Sequence, residues 1–394
     1  MGRQSLSLGA FALLLFSFAA EAATLNVGIG RAYTTLPAAA AAAKSGDVIE
    51  VDAGVYTQGA VWTDDRLTIR AAPGAAPGSV IVRGGAVLGK ALFVTKGADI
   101  TIDGLRFEQA FVPDRNGAGI RMEGRNLTVL NSSFGRSEMG ILVGSRDEGS
   151  TLTVRNTDFS DFYTGGNAQT LNHALYVGNS IGELIVEDST FNKVANGHYI
   201  KSRANRTTIR GNIIDGRGGG ASYLIDVPEG GQLVVENNDL IKGAASGNRT
   251  AIALGFERHK GGDFVNPDGF VFIGDNRFTN YWTRGTVVFF ENKTGVDAEL
   301  HENTLTVAAG RVELARGKHF VTREDDQITL IDALPIGSLP PADLQRLPAR
   351  LGTAESSPAV AVPAPGTLGL LCLGLGVVLA GRRRSSLVTR KGMR

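Results

Sequence analysis

Eight copies of one short line run along this chain: ITIDGLRF, LTVLNSSF, LTVRNTDF, LIVEDSTF, TTIRGNII, LVVENNDL, VFIGDNRF and AELHENTL. Each is a β-rich run, a turn residue (Asn, Asp, Gly or Glu) and an apolar closing residue. The closing residues are Phe107, Phe134, Phe159, Phe191, Ile214, Leu240, Phe278 and Leu305, spaced 23 to 38 residues apart. Strands and turns repeating at that length make a solenoid. A second apolar run lies upstream in the units, as in GILVGS, ALYVGN, YIKSRA, YLIDVP and AIALGF. Two or three short strands per turn of roughly 25 residues, without helical periodicity, specify an all-β parallel β-helix. One coil cannot bury its inner face alone. Stacked coils share one core and pair their backbones about 4.8 Å apart along the axis.

The Asn-rich position (Asn131, Asn156, Asn212, Asn237, Asn238, Asn276, Asn303) is structural, because Asn tolerates left-handed turn angles and bonds to nearby backbone. The 52 glycines and the modest charge fit a turn-rich solenoid. A solenoid grows in one dimension, so one folded domain is expected over 23–330. The single cysteine, Cys372, lies in the tail, which excludes disulfides and thiol chemistry from that domain.

Both ends read as addresses. Residues 1–22 hold Arg3, an apolar run and Ala20-Glu21-Ala22, the pattern of a signal peptide. Residues 331–361 form a Pro/Ala-rich linker, 362–384 an apolar segment ending in three arginines, and 385–394 a basic tail. The segment VPAPGTLGLLCLGLGVVLAGRRR resembles the PEP-CTERM sorting signal of Gram-negative bacteria, with Ala364 where that signal has Glu. The resemblance implies processing by an exosortase, transient membrane contact, a cell-surface or matrix destination, and an exopolysaccharide context. The chain has 40 Lys+Arg and 39 Asp+Glu, and six of the basic residues and none of the acidic ones lie in 366–394. The folded part is therefore mildly acidic. No basic patch with interleaved aromatics argues for nucleic acid, and an anionic polymer would need a local basic groove. A monomer is expected.

Residues 30–54 are the one helical stretch, and a short helix there would cap the N-terminal end of the solenoid. The phrase YTTLPAAAAAAKSGDVIEVDAGVY also resembles the start of secreted right-handed β-helix proteins of the pectate-lyase-like superfamily. That resemblance implies a right-handed coil and leaves the activity open, since one fold hosts many functions.

Chemistry should lie where polar residues interrupt the repeat. Laid over one another at a step of 25, LNHALYV, GHYIKSR and SYLIDVP place His173, His198 and Tyr223 in one column. Tyr176, Lys201 and Asp226 fall in a second, and Arg203 lies two residues past Lys201. Strict alternation sends Tyr199, Lys201, Arg203, Leu224 and Asp226 outward, with Ile200, Ser202, Ile225 and Val227 inward. The His column, three residues earlier, then faces the other way unless a turn intervenes.

These residue types suit abstraction of the weakly acidic proton alpha to a uronate carboxylate, the step shared by polysaccharide lyases and C5-epimerases. His173 or Lys201 would be the base, Arg203 the carboxylate neutraliser, and Tyr176 or Tyr223 the acid. His198, Tyr223, Asp226 and Glu257 would bind the sugar. GHYIKSRANRTTIRGN, one coil after the His of NHALYV, also resembles the rung order of β-helix mannuronan C5-epimerases. That likeness implies His173 as base and Arg203 as neutraliser, although the epimerase's Asp-Pro-His-Asp reads Leu171-Asn172-His173-Ala174 here. Two other readings stand beside this one. The block could be a non-catalytic carbohydrate-binding or matrix scaffold, its Lys–Asp neighbours an ordinary surface pair worth under about 1 kcal/mol. Asp226 and Glu257 could instead be the carboxylate pair of a hydrolase. No cofactor is expected, and Asp147 with Glu148 is the place a calcium ion would choose. Glu257, Arg258, His259 and Lys260 open an insertion that could wall the groove, while His301 and His319 sit near the C-terminal cap without a catalytic role.

Overall fold

The computed structural model describes residues 22–330 apart from 146, 165–171, 180, 258–268 and 322–327, and for 328–330 the backbone alone. The expected signal peptide, linker, sorting segment and basic tail lie outside the described residues, as do Arg258, His259 and Lys260. Among the described residues no helix is long and apolar enough to cross a membrane.

Three parallel sheets wrap one core. Sheet 1 has 12 strands starting from Thr24–Val27, sheet 2 has 11 starting from Gly54–Tyr56, and sheet 3 has 10 starting from Ala60–Trp62. The chain visits them in turn, so each strand pairs with the equivalent strand one coil away. The eight closing residues stack in register on sheet 2, from Phe107 through Phe134 and Phe159 to Leu305. Phe107, Phe134, Phe159 and Phe191 lie nearly parallel, with ring centroids 4.9, 5.0 and 4.7 Å apart, close to the coil spacing itself.

The Asn-rich turns resolve into two columns. Asn131, Asn156 and Asn237 hold positive φ at the bend. Asn212, Asn238, Asn276 and Asn303, one residue on, are buried, and each side-chain oxygen accepts from the amide of the coil before it. That ladder satisfies backbone groups the bend takes out of the sheets.

The expected cap is a helix at Leu36–Ala42. Thr35 Oγ1 accepts from Ala38 N, Pro37 sits in the first turn, and Leu36, Ala39 and Ala40 are buried against the first coil. The helix covers the core and open strand edges that a first coil would otherwise expose.

Candidate active site on the outer face of sheet 3

The site grows out of an irregularity in sheet 3. In its strands the pairing passes over one residue: His173 pairs with His198 and Leu175 with Ile200, while Ala174 and Tyr199 pair with nothing. The same gap falls at Gly119 and Gly140, at Tyr199 and Leu224, and at Ala251 and Phe289. At this kink two successive residues point inward. Ala174 with Leu175, Tyr199 with Ile200, and Leu224 with Ile225 all belong to the core. The expectation that Tyr199 and Leu224 face out is therefore overturned: each is 1% exposed. An unpaired residue shifts the alternation by one step, as a bulge does.

The same shift turns the His column outward. His173, His198 and Tyr223 come to lie beside Tyr176, Lys201 and Asp226 on one face, each column in the expected register. Ring centroids step along it from Tyr176 to His173 (5.2 Å), His198 (5.1 Å), Tyr223 (4.8 Å) and Phe256 (5.7 Å).

The charged groups knit together beside this ladder. Lys201 Nζ lies 3.1 Å from Asp226 Oδ2 and 2.7 Å from Glu257 Oε1. Arg203 donates to Glu257 Oε2 at 2.6 Å, to Tyr176 Oη at 2.7 Å and, through Nε, lies 2.8 Å from Glu229 Oε1. His198 Nε2 is 3.4 Å from Asp226 Oδ2. The amide of His198 donates to His173 Nδ1 at 3.2 Å, so the neutral ring carries its proton on Nε2. Tyr223 Oη accepts from Asn248 Nδ2 at 3.0 Å.

Burial dominates the protonation of the site. It holds His173 down at about 3 and His198 at about 2, helped by the Lys201 ammonium and, for His198, by the neighbouring His173. Both rings are neutral at pH 7. Burial pushes Asp226 up to about 6 against the pull of Lys201, with Glu257 adding to the rise. Tyr223 is pushed up to about 12 by burial and by Asp226. For Glu257 burial works the other way, but hydrogen bonds from Lys201 and Arg203 outweigh it and hold the carboxyl below its usual range.

All eight sequence-predicted site residues thus meet on one surface. Glu229 was missed: a 25-residue step from Arg203 lands on Pro228, one short of it. Asn248 and Phe256 were missed as well. Of the carboxylate pair considered for a hydrolase, Asp226 and Glu257, each lies against Lys201, at 3.1 and 2.7 Å. At the suggested calcium loop, Asp147 accepts from Gly149 N and lies 3.7 Å from Arg125 Nε. A different grouping, Asp275, His301 and Glu302, brings ligand atoms within 4.8 Å of one another where the neighbouring sheet 1 strands Val271–Gly274 and Ala298–His301 end.

The family described as a right handed beta helix region matches residues 86–247, which contain the kinked strands from Ala118–Met122 to Tyr223–Val227 and every site residue but Asn248, Phe256 and Glu257. The chain is a right-handed parallel β-helix. Similar solved structures include an alginate lyase from a Paenibacillus species, at 15% identity and TM-score 0.44, covering 75% of this chain and 99% of that one. A rice weevil pectin methyl esterase shares 14% identity at TM-score 0.44, covering 70% and 90%. The A-module of an Azotobacter vinelandii mannuronan C-5 epimerase shares 13% at TM-score 0.40, covering 73% and 94%. No curated protein matches the chain. The β-helix therefore leaves the activity to be argued from the site itself.

Proposed function

We propose that this protein is an exported enzyme that removes the proton alpha to the carboxylate of a uronate in an acidic exopolysaccharide, as a lyase or C5-epimerase does. One observation carries the reading: Lys201 and Arg203 converge on a single carboxylate, beside two neutral imidazoles and the hydroxyl groups of Tyr176 and Tyr223. Two cations on one carboxylate are what must neutralise the charge that grows there as the adjacent carbon loses its proton. The export and the sorting to the cell surface belong to the same proposal and rest on 1–22 and 362–384.

The geometry suggests an order of roles. His173 presents Nε2–H and so serves as a hydrogen-bond donor to a sugar oxygen. Tyr176 Oη, acting as a phenolate that accepts an Arg203 N–H, takes the proton from C5 and becomes the phenol, and the electron pair of the broken C–H bond moves into the carboxylate as an enolate. In elimination the C4–O4 bond then breaks, a C4–C5 double bond forms and the leaving O4 takes the proton that Tyr176 had collected, which returns Tyr176 to the phenolate. In epimerisation C5 instead regains a proton from water on the opposite face, and Tyr176 gives its proton back to solvent.

A second reading draws on one specific observation. Lys201 and Arg203 already have carboxylate partners within the chain, as a passive sugar-binding scaffold would allow. The test is proton NMR of polyuronates and of the host's exopolysaccharide in D2O with the purified protein. Loss of the H5 signal, with or without new alkene resonances, is expected. Binding without exchange on any acidic polymer puts the scaffold reading in its place.

A further inference from the structure

We propose that Glu257 is an intramolecular stand-in for the substrate's carboxylate, so that the site opens only to a sugar that supplies a carboxylate in exchange. The inference rests on the uronate reading above and adds what decides between sugars.

Glu257 uses both its oxygens, one on Lys201 at 2.7 Å and one on Arg203 at 2.6 Å. Its side chain is 48% exposed, while those of Lys201 and Arg203 are 8% and 13% exposed. It lies over the two cations from the solvent side. The other two carboxylates sit deeper, Asp226 at 2% and Glu229 at 9%, and approach Lys201 and Arg203 by separate contacts. Those contacts can hold both cations in place when Glu257 swings away, so the clamp stays preorganised. A ligand arriving from solvent meets Glu257 first.

The charge balance then sets the selectivity. A uronate that displaces Glu257 restores two charge-assisted hydrogen bonds and leaves the net charge of the cluster unchanged. A neutral sugar or a methyl-esterified uronate restores neither, and must leave two largely buried cations short of a partner. Glu257 thereby weakens every uronate by the fraction of time it occupies the clamp, and neutral sugars are refused.

The test is titration of wild type and Glu257→Gln with a uronate trisaccharide, its methyl ester and a neutral trisaccharide, followed by ligand-observed NMR, with circular dichroism to verify the fold. The amide keeps the size and loses the charge. The expected result is about tenfold tighter uronate binding by Glu257→Gln, with the ester and neutral sugar still weak. Uronate binding by wild type that is equal or stronger than in a folded Glu257→Gln variant overturns the role of Glu257 alone. No uronate binding by either protein overturns the uronate reading and this inference with it.

Discussion

Two stretches of sheet 3 share a backbone and differ in most of what that backbone presents. In the strands Ala118–Met122 and Met139–Val143 the kink turns Ala118, Met139 and Leu142 outward, where they join Ala91 and Val94 in a small apolar cluster of their own. In the next three coils the same two columns carry His173, His198 and Tyr223 beside Tyr176, Lys201 and Asp226. Tyr176 stands at the border, packed on the apolar cluster and bonded to Arg203. The coil dictates where side chains point. The identity of two columns over three coils decides whether that face is inert or reactive.

If so, copying the apolar coil into the reactive one should change the chemistry and spare the fold. The largest effect concerns acid. His173 and His198 are held near 3 and 2, far below an unfolded histidine, so the unfolded chain binds more protons as pH falls through 6.5. Stability is full above that pH and is lost by about 1.4 kcal/mol per unit per ring on the way down. Asp226, raised to about 6, works in the opposite sense: its protonation favours the fold below 6 and so offsets part of the loss. His173→Met, which repeats Met139 of the previous coil, should flatten the acid limb by one ring's share in denaturant titrations from pH 7 to 4.5. An unchanged slope would remove His173 from the buried, neutral set.

Next comes Lys201→Ala. It strands Asp226, which is 2% exposed, and should cost about 3–5 kcal/mol at pH 8, against about 2–5 kcal/mol for Leu142→Ala. The two should part with pH. The Lys201→Ala deficit shrinks toward pH 5 as Asp226 takes up a proton, and the Leu142→Ala deficit does not move. Equal pH behaviour would contradict the difference between the stretches.

Tyr176→Phe should then lower turnover on a uronate polymer by about 10²–10⁴-fold at unchanged affinity and nearly unchanged melting temperature, read by H5 exchange. The smallest effect tests the kink. A Cβ on Gly140 would lie 2.4 Å from Ala174 O and 2.9 Å from the Phe159 ring, so Gly140→Ala should cost about 1–3 kcal/mol. A neutral Gly140→Ala would mean the kink is looser than its contacts imply.

The coil stacking was legible because its signal repeats: eight closing residues and a 25-residue step, both found in register. The two candidate columns were legible for the same reason. The kink was not, because alternation was assumed. Its trace was present in the adjacent apolar pairs Ala174-Leu175, Tyr199-Ile200 and Leu224-Ile225, which a simple in–out strand cannot bury together. The contacts of Glu257 and Glu229 with Arg203 had no periodic signal, since both reach the site from connections between strands.

The account turns on both columns forming one carboxylate-binding face. A crystal structure with a bound uronate trisaccharide tests it most directly. The expected result places one sugar carboxylate within hydrogen-bonding distance of Lys201 Nζ and Arg203, displacing Glu257, with His173 and Tyr176 against the same ring. A trisaccharide bound to another face, with the Lys201–Glu257–Arg203 bridge intact, would contradict it.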